Sequence, residues 1–228
     1  MSAPRSRLAG AIRVVLAVAV GLSALFVPAG TLAWREAWIL VVSYGIFVTV
    51  LVLRIRWTDP ELFRERVARQ REGKRWDRVL LGIYGVLLLG LLATAGLDAV
   101  RFRLTRVPRG VTIGAFLAFV PITVLFFRVY RENTFASKVV RVQTDRAQRV
   151  IETGPYRVVR HPMYVAIIGM MVLIPLALGS WLALVFSAWI TGIFVLRTHL
   201  EDITLMRELP GYAEYATRTR YRLVPGIW

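Results

Sequence analysis

The sequence has 228 residues, of which 57% are apolar, with a mean hydropathy of +0.57; an ordinary soluble domain is only about 45–50% apolar. The apolar excess lies in long runs, which predicts a membrane protein. The absence of cysteine excludes disulfides, thiolate nucleophiles and cysteine-ligated metals. The net charge is +16, and the basic residues lie mostly between the apolar runs. The expected partner of these residues is therefore the anionic cytoplasmic leaflet and not nucleic acid.

Four long apolar runs each approach the roughly 20 residues that cross a bilayer, at about 8–33, 37–53, 79–100 and 111–130. Two shorter runs, 163–178 and 181–196, are joined by Gly179-Ser180, and so short a connector predicts a tight helical hairpin. We therefore predict an all-α, polytopic integral membrane protein of about six apolar helical segments. The N-terminal membrane helices would occupy 1–130, and a loop, the hairpin and a tail would occupy 131–228.

Basic residues indicate the orientation. With a cytoplasmic N-terminus and six crossings, most of the 30 Lys and Arg residues fall in cytoplasmic segments, chiefly 54–78, 128–160 and 197–222. The basic group at 101–109 argues against this arrangement, unless it is interfacial or the run over 79–100 does not cross fully. The charged connector 54–78 is predicted to form an interfacial helix.

The stretch GPYRVVRHPMY, residues 154–164, lies where a long cytoplasmic loop enters a membrane helix. Pro162 suits the first turn of a helix, where no N–H donor is needed. His161 and Tyr164 are three residues apart and can share one helix face. Arg160 stands beside them at the membrane surface, so this stretch is the predicted centre of the chemistry.

A second polar stretch lies at the end of the other hairpin arm. Arg197 and Glu201 are four residues apart on one face, and the hairpin returns this face to the depth of His161. Glu201 alone would be equally well explained as the ion-pair partner of Arg197. The aromatic and basic tail, 211–228, is too short in apolar residues to span a bilayer and is expected to fold over the hairpin's mouth as a lid.

Together these stretches resemble the isoprenylcysteine carboxyl methyltransferase family and, more loosely, the phospholipid N-methyltransferases. The resemblance covers about residues 131–228, and the residues that match the family pattern are Gly154, Tyr156, Arg160, His161, Pro162, Tyr164, Glu201, Leu205, Tyr212, Tyr215, Arg222, Leu223 and Pro225. Two positions depart from it. Ala166 stands where the family usually has glycine, and Asp202 replaces the second residue of a Glu-Glu pair.

The resemblance implies a methyltransferase that binds S-adenosylmethionine from the cytosol and methylates a carboxylate oxygen or an amine nitrogen of a lipophilic or lipidated substrate, which enters from the lipid. Region 131–228 would then bind the cofactor, without a metal. The implied cofactor-binding residues are Tyr156, Arg160, His161, Tyr164, Glu201, Leu205, Tyr212, Tyr215 and Arg222, of which Arg160 and Glu201 would also be catalytic. The expected location is a bacterial inner membrane, with both termini cytoplasmic.

Two other functions remain open on the sequence. Membrane sterol and enone reductases share a similar C-terminal architecture and bind NADPH, but its 2′-phosphate calls for extra basic residues near the site. Their longer Trp and Asn signatures are also missing here. The other is a non-enzymatic scaffold or small transporter. A transporter is expected to carry ionisable groups at midmembrane, and the apolar runs contain almost none.

Overall fold

The computed structural model describes residues 3–67 and 73–228, and within them the chain is helical and contains no strand. The helices are α1 (Ala3–Ala29), α2 (Arg35–Thr58), α3 (Pro60–Val67), α4 (Arg75–Gly96), α5 (Arg109–Glu132), α6 (Pro162–Leu178), α7 (Leu184–Glu208) and α8 (Tyr212–Arg218). The predicted all-α, polytopic membrane fold is confirmed. The predicted division of the chain at residue 130 stays a prediction, and α5 continues past it to Glu132.

Four helices in the described part of the chain are long and apolar enough to cross a membrane: α1, α2, α4 with its continuation, and α5. The apolar helix α6 is shorter, at 17 residues. Its hairpin partner α7 has 25 residues but carries charged side chains in its last turns. These six helices correspond to the six apolar segments read from the sequence.

Close helix packing sets the arrangement of the bundle. α1 packs along α4, α5 packs along α6, and α7 packs against both α4 and α6. At the α1–α4 crossing, a Cβ on Gly96 would lie 2.7 Å from the carbonyl oxygen of Leu25. Only glycine permits so close an approach of the two backbones. α1 and α4 therefore pack closely, and α4 in turn packs against the hairpin arms α6 and α7.

The hairpin turns tightly, as its short connector predicts. α6 ends at Gly179, whose φ of +83° lies in the left-handed region that glycine adopts without strain. The N–H of Ser180 then donates to the Pro175 carbonyl at 2.9 Å. The two arms therefore run antiparallel, and the start of α6 lies beside the end of α7.

The basic segment 101–109 packs on this hairpin turn. The fourth helix continues in π-helical form as Leu97–Phe102, which gives a single helical run of 28 residues before the chain turns. The indole N–H of Trp181 donates to the Arg106 carbonyl at 3.1 Å. The helical run before this segment is therefore long enough to cross the membrane. The segment itself lies at the hairpin-turn end of the bundle, and the start of α6 lies at the opposite end.

The connectors at the other end of the bundle are short helices and loops. Part of the charged connector 54–78 forms α3, whereas its residues 68–72 lie outside the described residues. The loop between α5 and α6 contains two single turns of 3₁₀ helix, Thr144–Arg146 and Gly154–Arg157. α8 and the residues that follow it return the chain to the start of α6.

Candidate active site

The start of α6 is joined to the C-terminal segment by backbone hydrogen bonds. Pro162 occupies the first helical position and His161 caps the helix. The N–H of Arg160 donates to the Tyr221 carbonyl at 2.9 Å, and the N–H of His161 donates to the Arg222 carbonyl at 3.0 Å. The tail therefore runs alongside the motif whose residue types and spacing pointed to a site.

Asp202 is the centre of the polar network at this end, and it is 1% exposed. Its carboxylate accepts two hydrogen bonds from Arg160, from Nε and Nη2, each at 2.8 Å. It also accepts from Arg222 Nε at 2.8 Å and from the Tyr212 hydroxyl at 2.8 Å, and His161 Nε2 lies 3.3 Å away. One carboxylate thus joins four side chains that are distant in sequence.

Arg160 also binds the backbone of the C-terminal segment. Its Nη1 donates to the carbonyl oxygens of Thr219 and Arg220, at 2.9 and 2.8 Å. Burial by itself would lower the pKa of Arg160, but the hydrogen bonds and charge of Asp202 outweigh burial and raise that pKa. Arg160 is therefore a permanent cation that fastens the chain after α8 to the start of α6.

Tyr164 and Glu201 form a second group. The Tyr164 hydroxyl donates to Glu201 Oε2, and the Tyr164 ring is stacked on the His161 ring, with centroids 5.6 Å apart and planes 6° apart. Within the described residues, Glu201 accepts no other side-chain hydrogen bond and forms no ion pair. Glu201 is partly buried, its hydrogen-bond partner is a neutral hydroxyl, and the nearby Arg197 guanidinium interacts with it through charge without forming an ion pair.

Arg197 does not pair with Glu201. Its Nε donates to Asp77 Oδ1 at 2.7 Å, its Nη2 donates to the Lys138 carbonyl at 3.0 Å, and its guanidinium lies 4.9 Å from the centroid of the Tyr164 ring. The reading of Glu201 as an ion-pair partner of Arg197 is therefore wrong. Arg197 forms its ion pair with Asp77 of α4 instead.

Tyrosines pack the side of the site next to α8. The Tyr215 hydroxyl donates to the Tyr156 carbonyl at 2.7 Å, and Asn133 Nδ2 donates to the Tyr156 hydroxyl at 2.8 Å. Burial raises the pKa of Tyr156, and burial together with the Asp202 charge raises the pKa of Tyr212. Both phenols remain protonated at neutral pH. Leu205 packs against Tyr212 and Tyr215.

The predicted site residues surround a common pocket. Eight of the nine line it, namely Tyr156, Arg160, His161, Tyr164, Glu201, Leu205, Tyr212 and Tyr215, and the α5–α6 loop lines the remainder together with Met163, Arg197 and Leu209. The ninth, Arg222, reaches the pocket's network through Asp202. Ala166, at the position of the family's glycine, is fully buried in the core, so its methyl group is accommodated. The roles of these residues stay predictions.

Two residues of the site, Asp202 and Asp77, received no role in it from the sequence analysis. Asp202 had one available signal, since it stands at the second acidic position of the family pattern. Asp77 had none, because a single acidic residue in the first turn of an apolar helix is common. Its partners Arg197 and Val140 are far away in sequence.

Comparison with known proteins agrees with the motifs. No curated protein matches the chain. A family model does match residues 116–207, which run from α5 through the motif at the start of α6 to the acidic pair on α7. The resemblance inferred from the motifs is thereby confirmed over residues 116–207, which match the model of the Isoprenylcysteine carboxyl methyltransferase (ICMT) family, a family of methyltransferases.

Proposed function

We propose that the protein uses S-adenosylmethionine to methylate a carboxylate oxygen or an amine nitrogen of a lipophilic substrate. The observation that carries this proposal is the Glu201 carboxylate, which is partly buried in the pocket and has the Tyr164 hydroxyl, but no ion pair, as its side-chain hydrogen-bond partner within the described residues. A partly buried carboxylate that forms no ion pair gains from direct contact with a cationic ligand. S-adenosylmethionine carries an ammonium group and a sulfonium centre.

The surrounding side chains fit the other parts of this cofactor. Glu201 would bind the ammonium group or a ribose hydroxyl, and His161 would bind the carboxylate. The Tyr212 ring would pack against the adenine or the sulfonium, whereas the Tyr164 ring is already stacked on His161 and lies under the Arg197 guanidinium. When bound, S-adenosylmethionine supplies an activated methyl group to the acceptor.

Arg160 has a different role in the proposed site. Four of its hydrogen bonds go to Asp202 and to backbone carbonyls, so Glu201 and His161 are the stronger candidates for direct contact with the cofactor. Its buried positive charge would still orient a carboxylate that enters the pocket. We therefore propose Arg160 as the residue that attracts an acidic acceptor and Glu201 as the residue that holds the donor.

Catalysis by such a site would depend mainly on placement. Methyl transfer is a direct displacement, and alignment of donor and acceptor with exclusion of water supplies most of its acceleration. The α5–α6 loop and α8 bound the pocket on its polar side. The lipophilic part of the substrate would enter from the lipid, between the membrane helices.

The proposed placement has this pocket on the cytoplasmic side of a bacterial inner membrane, with both termini in the cytoplasm. The excess of Lys and Arg in the segments at the pocket end supports it. Membrane lipids and a lipophilic or lipidated substrate would be the partners, and nucleic acid would not be one.

Calorimetric titration of the purified protein in detergent with S-adenosylmethionine, and separately with NADPH, tests the proposal. We expect S-adenosylmethionine to bind and NADPH not to bind. Binding of NADPH alone would instead favour the membrane reductases, which share the C-terminal architecture.

Two variants test the residue assignments. Glu201→Ala and His161→Ala should each weaken S-adenosylmethionine binding by about ten- to a hundredfold, the effect of losing a hydrogen bond to a charged group. The matched controls are Glu214→Ala and His199→Ala, because both residues are exposed, and they should bind as the wild type does. Wild-type affinity in both site variants would remove the assignment.

A further inference from the structure

The spacing of Arg197 and Glu201 on α7 predicts an ion pair that is not formed. Opposite charges four residues apart on a helix normally attract each other. Instead, Arg197 is held by Asp77 of α4, with Nε 2.7 Å from Oδ1 and Nη2 3.4 Å from Oδ2. A residue from another helix has therefore replaced the local partner.

Asp77 is built to hold the arginine in this position. Its side chain is 0% exposed, and its Oδ2 also accepts a hydrogen bond from the Val140 N–H at 2.8 Å. Arg197 Nη2 donates in addition to the Lys138 carbonyl at 3.0 Å. The ion pair is thus fixed between α4, α7 and the loop that lines the pocket, and the guanidinium has little freedom to turn toward Glu201.

Tyr164 is the link between the two charged residues of α7. Its ring lies under the Arg197 guanidinium, at 4.9 Å from the centroid, and its hydroxyl donates to Glu201. Arg197 lines the same pocket as Glu201 and interacts with it through charge, but its N–H donors go to Asp77 and to the Lys138 carbonyl. Release of Arg197 from Asp77 would let those donors bind the Glu201 carboxylate directly, in competition with any cationic ligand.

We infer that Asp77 is a positioning residue that holds Arg197 away from Glu201 and so keeps the Glu201 carboxylate available for the cationic group of the ligand. This inference rests on the proposed function, because the cationic ligand is S-adenosylmethionine. Asp77 lies outside the residues that match the family model, 116–207. The N-terminal helices thus contribute to the site as well as to the membrane anchor.

Asp77→Asn and the double variant Asp77→Asn with Arg197→Gln test the inference by calorimetric titration with S-adenosylmethionine. Asparagine keeps an oxygen for the Val140 N–H but loses the charge that holds Arg197. We expect this variant to bind about tenfold more weakly or worse, the effect of one competing ion pair. The double variant removes the released cation, and most of the affinity should return.

Recovery in the double variant is the result that a purely structural role would not produce. If Asp77 only supported the fold, replacing both members of the ion pair would leave affinity as low as, or lower than, the single change does. Such a result overturns the inference, and so does wild-type affinity in Asp77→Asn. Asp77→Asn is replaced by the double variant alone if the single variant does not fold, because the double variant leaves no unpaired charge at this position. Affinity near the wild-type value then supports the inference, and a large loss of affinity overturns it. Absence of S-adenosylmethionine binding by the wild-type protein would overturn the proposed function together with this inference.

Discussion

The two ends of the helical hairpin each bury an aspartate, but they stabilise it in different ways. At the turn, Asp98 is 0% exposed and accepts hydrogen bonds from neutral donors, namely the Ser180 hydroxyl at 2.6 Å, the Thr105 hydroxyl at 2.6 Å and the Thr105 N–H at 2.7 Å. At the pocket, Asp202 is bound by two arginines and a tyrosine.

The partners of the two aspartates indicate different roles for the two ends of the hairpin. Neutral donors satisfy Asp98 locally and join the hairpin turn to the segment after α4. The cations around Asp202 exceed its single charge, and the neighbouring Glu201 forms no ion pair within the described residues. One end of the hairpin is therefore closed by complete local pairing, and the other end retains charges that a ligand can use.

Removal of the carboxylate at the pocket end should have the largest effect on stability. Asp202→Ala leaves Arg160 buried and Arg222 partly buried without their anion. Breaking a buried ion pair by removing one partner costs about 3–5 kcal/mol. The free energy of unfolding in a detergent titration measures the loss, and a decrease of less than about 1 kcal/mol would contradict the central role given to Asp202.

The corresponding change at the turn should be smaller and should spare binding. Asp98→Ala removes the acceptor of the Ser180 and Thr105 donors, which costs about 1–3 kcal/mol of unfolding free energy. S-adenosylmethionine affinity of the folded protein should stay at the wild-type value, because the turn lies at the opposite end of the bundle. A loss of affinity as large as that in Glu201→Ala would abolish the distinction between the two ends.

A single neutral hydrogen bond at the pocket end should matter less than either carboxylate. Tyr215→Phe removes the donor to the Tyr156 carbonyl and keeps the ring in place. The free energy of unfolding should fall by about 0.5–1.5 kcal/mol. The weaker contact of that carbonyl with Thr219 Oγ1, at 3.4 Å, favours the lower part of this range.

The smallest effect is expected at an exposed ion pair near the same pocket. Arg218 Nη2 lies 2.6 Å from Glu152 Oε1, and both side chains are largely exposed to solvent. Glu152→Gln should change the free energy of unfolding by less than about 1 kcal/mol, because solvent screens such pairs. A larger change would show that charge at this end stabilises the protein irrespective of burial.

The fold and the meeting of the main site segments could be predicted from the sequence. Apolar length predicted the membrane helices, and the short connector predicted the hairpin, although α7 begins at Leu184 and the connector is therefore longer than the two residues expected. Antiparallel arms necessarily bring Tyr164 and Glu201 to one end. These features depend on the spacing of residues and on chain direction, and both can be determined from the sequence.

The partners of the charged residues could not be predicted in the same way. Helical spacing predicts that Arg197 binds Glu201, yet Asp77, 120 positions away, binds it instead. Asp202 gathers Arg160, 42 positions earlier, and Arg222, 20 positions later. Such choices depend on how α4, α7 and the tail pack, and a single sequence contains no period or spacing that reports this packing.

The contact between Arg160 and the carbonyls of Thr219 and Arg220 has a consequence for biosynthesis. Until residues 219 and 220 have been synthesised, the Arg160 guanidinium lacks two of the four acceptors of its hydrogen bonds. The network around Arg160 can therefore be completed only after nearly the whole chain has been made. A chain truncated before residue 219 should contain the residues of all the membrane helices described above and yet lack these two contacts of Arg160.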